Sequence, residues 1–191
     1  MRRKYLLVVE ILGVFLALIW LAPFYLMIVN SFKTKKEIFT DTLSLPAVFS
    51  LENYYEAFER LSFLQTFLNS IVITGLSVGI IIIFSSMAAY ALSRNKSKIS
   101  SILFFVFIAA MLIPFQSVMI PLVSIFGKLD MLNRIGIIFM YLGFGSSLSI
   151  FLFYGALSGI PKTIDEAARI DGASNLQIFW HIIFPMLKPI T

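Results

Sequence analysis

Cysteine is absent from the 191 residues, and histidine occurs once. Without thiols, disulfide staples, thiolate metal sites and cysteine nucleophiles are all excluded. The solitary imidazole, His181, has no neighbouring ligands and reads as a surface or packing residue. Charge is scarce as well: Asp, Glu, Lys and Arg make up 13% of the chain, against about 25% in soluble domains. The phosphate loop G-x-x-x-x-G-K-[ST] is missing, since Gly127-Lys128 lacks both the preceding glycine and the following Ser or Thr. No Ser/His/Asp set or catalytic pair of carboxylates can be assembled. The chain is expected not to be an enzyme and to hold no metal or cofactor of its own. Energy for any work would have to enter from outside.

What is present is apolar surface. Hydrophobic residues are 59% of the chain, and phenylalanine alone contributes 20. A soluble domain of this length cannot bury that much, so the expected solvent is lipid. The stretches 11–32, 61–93, 99–127 and 135–161 contain no Asp, Glu, Lys or Arg. Each exceeds the roughly 20 residues that cross a bilayer as a helix. The expected fold is therefore an all-α membrane protein, a polytopic bundle with four transmembrane helices.

The net charge of +5 could suggest nucleic acid, but its distribution points to topology instead. With the N-terminus inside, Arg2, Arg3, Lys4, Arg94, Lys96, Lys98, Lys162, Arg169 and Lys188 face the cytoplasm, nine basic residues against six outside. Arg94 to Lys98 has no compensating acid, whereas the first outer loop has five. The basic opening is like that of a signal peptide, yet its apolar run is too long and no small-residue cleavage site follows. It reads as a retained span, with Pro23 expected to bend it. Glu10 lies near its cytoplasmic end, either snorkelling or paired with Arg2 or Arg3, or else a functional intramembrane acid.

In the outer loop, Ser50 is a candidate N-cap for a short helix with Leu51, Tyr54, Tyr55 and Phe58 on one face. Gly75-x-x-x-Gly79, Ser85, Ser86, Ala88 and Ala89 give the second span a close-packing or sliding surface. Pro114 and Pro121 should kink or break the third, and Gln116 between them is a candidate path-lining residue. The fourth span is rich in glycine and serine, suited to close packing or to flexing.

The most structured stretch is polar, residues 161–189. Thr163-x-x-Glu166 has the spacing of a capping box, with Asp165 in the same first turn and an Asp165–Arg169 pair at i,i+4. Gly172 supplies a positive-φ stop. Ser174-x-x-Gln177 repeats the box and opens a second helix that Pro185 should interrupt. Ile164, Ala167 and Ala168 form a small apolar patch, which makes the segment a docking element. A DNA-binding helix–turn–helix is disfavoured, because Asp165, Glu166 and Asp171 oppose Lys162 and Arg169.

Glu166-Ala167-Ala168, three residues, Gly172, nine residues, then Ile182-Ile183-Phe184-Pro185 resembles the cytoplasmic loop of ABC importer permeases, with Phe184 in place of leucine. Ile170-Asp171-Gly172-Ala173-Ser174 and Asn53-Tyr54-Tyr55 are similar to the carbohydrate branch, and within it to the smaller permease of maltose-type sugar importers. The resemblance implies the type I ABC importer permease fold, with 161–189 as a coupling loop whose first helix enters a cleft on an ATPase. Glu166, Ala167, Ala168 and Gly172 would form the contact core, with Asp171 in support. Implied partners are a cytoplasmic ABC ATPase dimer that uses the ATP, a second homologous permease forming a heterodimer, an extracytoplasmic sugar-binding protein and membrane lipid, with no nucleic acid. The location implied is a bacterial or archaeal inner membrane, multi-pass. Two regions follow: 1–65, a first span and external loop, and 66–191, the permease domain. Members of this family carry two further spans after the loop, so the domain is expected to be incomplete at its C-terminus. The alternatives are a non-functional fragment of such a permease, or part of a secondary transporter or channel whose loop is a plain connector.

Overall fold

The computed structural model describes residues 2–191, with side chains from Tyr5 onward. Any pairing of Glu10 with Arg2 or Arg3 therefore lies outside the described residues. Among the described residues every regular element is helical. The chain forms two compact units, Met1–Leu68 and Asn69–Thr191.

The first unit begins with α1 (Arg2–Ser31), which continues through Pro23. Its C-terminal carbonyls, which a helix cannot satisfy by itself, are met by the loop that follows. Asn53 Nδ2 donates to the carbonyls of Ser31 at 3.0 Å and Lys33 at 2.7 Å, and Ser50 N donates to that of Phe32 at 3.1 Å. The Tyr54 hydroxyl lies 2.7 Å from Ser31 Oγ, and the Phe32 ring packs on those of Phe49 and Tyr54. Lys33 is 1% exposed, with its ammonium donating to the Asp41 carbonyl at 2.8 Å. A helix α2 (Lys35–Thr40) carries a capping box between Thr34 and Glu37. The Thr34 backbone N–H holds the Glu37 carboxyl below its ordinary range, and the Ser44 and Leu43 N–H groups do the same for Asp41. The short helix expected after Ser50 is α3 (Glu52–Arg60). Its cap position is Leu51 rather than Ser50, although Ser50 Oγ still accepts from Glu52 N at 3.2 Å. Leu51 thus closes the helix end, while Tyr54 turns toward α1.

The long helix α4 (Phe63–Arg94) leads into the second unit. There α5 (Lys98–Met111) and α6 (Phe115–Lys128) meet at a bend of 99°. Pro114 occupies the cap position of α6, where its missing N–H costs nothing, and Pro121 is carried inside that helix. The third apolar run is thus broken at the first proline only. Helix α7 (Arg134–Ser158) starts at Asn133, whose Oδ1 accepts from Ile135 N and Gly136 N at 3.0 Å. Among the described residues three helices are long and apolar enough to cross a membrane, and the bent α5–α6 pair would make a fourth.

Gly75 and Gly79 have open space where a Cβ would stand, so they do not form the packed seam of this unit. Ser85, Ser86 and Ala89 do: all are fully buried on α4. On α7, a Cβ at Gly145 would stand 2.6 Å from Ile81 Cδ1, which marks a close approach of the two helices. The core lies toward the C-terminal ends of α4 and α7. Ala89 and Tyr90 from α4 and Ile150, Phe153 and Leu157 from α7 pack there with Ala168, Ile178, Phe179, Ile183 and Leu187. Most of the remaining apolar side chains on the long helices face outward, as lipid-facing surfaces do.

The candidate docking elbow

The elbow comprises α8 (Lys162–Ile170), a tight turn, and α9 (Asn175–Ile178), which runs through a π-helical segment (Phe179–Ile183) into α10 (Phe184–Met186). The turn and the second cap follow the sequence expectation, whereas the end of the second helix does not. Gly172 sits at φ +86°, and Ala173 N donates back to the Ala168 carbonyl at 3.0 Å, a glycine-dependent helix stop. Ser174 and Gln177 complete their capping box. Pro185 does not end the helix there. In the widened π turn the Phe184 N–H reaches the Phe179 carbonyl, five residues back, and the chain passes the proline before closing at Met186.

The first half departs from expectation. Pro161 holds the N-cap position of α8, with no side-chain cap, so the Thr163–Glu166 box does not form. The helix begins one residue before Thr163, which puts that hydroxyl inside the first turn and out of capping reach. Asp165 does not pair with Arg169 either. It turns inward to form an ion pair with Arg94, the last residue of α4, with the two side chains 5% and 11% exposed. Arg94 Nη1 also donates to the Ile160 carbonyl at 3.2 Å, while Lys162 Nζ donates to the Arg94 carbonyl at 3.1 Å. The Arg94 guanidinium lies 5.8 Å from the centre of the Tyr90 ring. Arg169, released from Asp165, donates to Asn175 Oδ1 at 3.1 Å and braces the turn. A buried carboxylate needs a paired charge, which Arg94 supplies, whereas an exposed i,i+4 contact with Arg169 contributes little.

The same inward rotation sorts the candidate contact residues. Ala168, 8% exposed, faces the core, and Ile164 is half-buried, so the expected three-residue apolar patch is split between inside and outside. Glu166, Ala167, Asp171 and Gly172 are exposed. Ile170 joins them at 86% exposure, a large apolar side chain that the motif spacing did not single out. Its signal was available: it lies three residues after Ala167 and four after Glu166, on the same face. Arg94 carried no comparable local signal, since any basic residue at the end of a span reads as a topology anchor.

Beside the elbow is a cleft of about 440 Å³, floored by Met87, Tyr90, Leu176 and Phe179 and edged by Arg94, Asn95, Arg169 and Asn175. A second, apolar cavity of about 610 Å³ lies between the α5–α6 bend and α7, lined by side chains such as Met111, Leu122, Phe126 and Phe144 together with Ser147. Gln116 is exposed on α6 and is not among the residues lining that cavity. Among the described residues no three His, Asp or Glu side chains converge on a metal-sized site.

Residues 81–191 match the family described as the inner membrane component of binding-protein-dependent transport systems. The chain belongs to this family. The matched region holds both Arg94 and the whole elbow, so the arrangement just described lies inside the family domain of this transport component. Over 189 residues it is 58% identical to the probable starch degradation products transport system permease protein AmyC of Thermoanaerobacterium thermosulfurigenes, covering 99% of this chain and 68% of that one. The melibiose/raffinose/stachyose import permease protein MelC of Bacillus subtilis is 39% identical over 192 residues, covering 100% and 69%. The multiple sugar-binding transport system permease protein MsmG of Streptococcus mutans is 37% identical over 173 residues, covering 89% and 62%. The family component described here thus spans about two thirds of the length of these relatives.

Proposed function

We propose that this chain is a transmembrane permease subunit of an ATP-driven importer of oligosaccharides, with starch degradation products the first substrates to test. The observation that carries the coupling role is the exposed edge of the elbow, Glu166, Ala167, Ile170, Asp171 and Gly172, held on a buried base. Such an edge suits insertion into a cleft on a cytoplasmic ATPase dimer, which binds and hydrolyses the nucleotide. The chain itself contributes no catalytic group and no cofactor. The sugar assignment draws on the relatives, whose names specify starch degradation products, melibiose, raffinose and stachyose. A second permease of the same kind completes the pathway as a heterodimer, and an extracytoplasmic binding protein delivers the sugar. The N-terminus lies in the cytoplasm, so that the elbow does too. Gln116, beyond the Pro114 break, is the path-lining candidate.

The test is purification of the tagged chain with its neighbouring transport proteins, followed by uptake in liposomes. An ATPase is expected to co-purify, and Glu166→Lys is expected to release it while membrane insertion persists. Normal uptake by Glu166→Lys, or labelling of the elbow from the outer face of intact cells, would overturn the proposal.

A further inference from the structure

Helix α8 follows α7 directly in the chain, through residues 159–161, so a push on α8 enters α7 covalently. No such link exists to α4, whose last residue lies 68 positions before Lys162. Between α4 and the elbow two kinds of contact are available. One is apolar, the Tyr90 and Phe179 rings with centroids 5.6 Å apart, and apolar contact is non-directional and permits sliding. The other is directional: the Arg94–Asp165 ion pair and the reciprocal hydrogen bonds Arg94 to Ile160 and Lys162 to Arg94. Arg94 and Lys162 each donate to a carbonyl of the opposite segment, and the ion pair is nearly dry, with Arg94 Nη2 and Asp165 Oδ1 left without a hydrogen-bond partner. An arrangement of this kind resists both shear and separation, because either motion strands a buried charge.

We infer that Arg94 is a positioning residue of the transport cycle: through Asp165 it locks the docking helix to the end of α4, so that α4 and α8 move as one body. This rests on the reading that an ATPase engages the elbow. Arg94 touches neither sugar nor nucleotide. Its role is to carry displacement into the helix that the covalent chain does not reach.

The experiment uses the complete reconstituted transporter, with ATPase and binding protein, and reads sugar imported per ATP hydrolysed. Arg94→Gln and Asp165→Asn are each expected to lower that ratio roughly tenfold, within the range over which linked sites bias one another. The ATPase should still co-purify. The exchange Arg94→Asp with Asp165→Arg is expected to recover part of the ratio. A second measurement leaves the ion pair native. The chain contains no cysteine, so Ala91→Cys and Thr163→Cys can carry spin labels on exposed positions of the last turn of α4 and of α8. Their separation should be the same with and without bound ATP. An unchanged transport ratio in both single variants, or a label separation that shifts on ATP binding, overturns the inference. If the single variants fail to insert, the label measurement decides. Absence of any ATPase on the native chain would overturn the functional reading, whereas a bound ATPase with an unaltered ratio defeats only the role of Arg94.

Discussion

The ammonium of Lys162 donates to the main-chain carbonyl of Arg94 at 3.1 Å, joining the first residue of α8 to the last of α4. A helix end leaves its last carbonyls unpaired, and here a side chain from a different element supplies the missing donor. Lys162→Ala is expected to reduce stability by about 1.5 kcal/mol, as for a hydrogen bond from a charged group. Thermal unfolding in detergent measures it, and Lys162→Arg should restore part of the loss.

The two capping-box spacings in the elbow make opposite predictions. Ser174→Ala removes an intact box and should cost about 1 kcal/mol. Thr163→Ala removes nothing that caps α8, and should change stability by less than about 0.5 kcal/mol, as for an ordinary surface substitution. Equal losses on chemical denaturation would contradict the Pro161 start of the helix.

Among the glycines, position 136 is the one where an added side chain would collide with backbone. An added Cβ would stand 1.7 Å from the Met131 carbonyl oxygen. Gly136→Ala is therefore expected to cost about 3 kcal/mol or more, or to abolish folded protein. Gly75→Ala and Gly79→Ala meet open space and should be neutral or stabilising by up to about 1 kcal/mol, from the gain in helix propensity. The recovery of monodisperse protein separates the cases.

Ile170 is exposed to 86% and supports nothing in the isolated chain. Ile170→Asp should leave the melting temperature nearly unchanged, yet weaken ATPase association by about 1–3 kcal/mol, the scale of a buried interface anchor. Titrating the purified ATPase against the variant reads the difference.

In the first unit, Glu37 accepts from the Thr34 backbone N–H and hydroxyl at 2.9 and 3.0 Å, and its pKa lies below the ordinary 4.5. Since the folded value is the lower one, the stabilisation of α2 is complete above the ordinary pKa and is lost as pH falls through the folded value. Carboxyl NMR should place the Glu37 midpoint below 4.5. Glu37→Gln should leave α2 without its acid-sensitive component. A midpoint at or above the ordinary value would contradict the box.

Several features followed from local chemistry and were legible in the residues alone. The apolar runs specify membrane-length helices, because a backbone in lipid has no other partner than itself. Their bounds came close: the charge-free stretches 61–93 and 135–161 became Phe63–Arg94 and Arg134–Ser158. The break near Pro114, the Gly172 stop and the Ser174 box were equally local, each set by one residue's backbone requirement. The motif spacing through Pro185 was sufficient to indicate the family.

Only the tertiary structure decided where Asp165 would look. Within α8 it had Arg169 one turn away, and sequence distance favoured that pair. Folding buried Asp165 beside Arg94, and a carboxylate buried there requires a paired charge that the exposed Arg169 does not supply. That one choice turned Ala168 inward, left Ile170 exposed and freed Arg169 for Asn175. Burial, which no stretch of sequence contains by itself, set which face of the elbow is exposed.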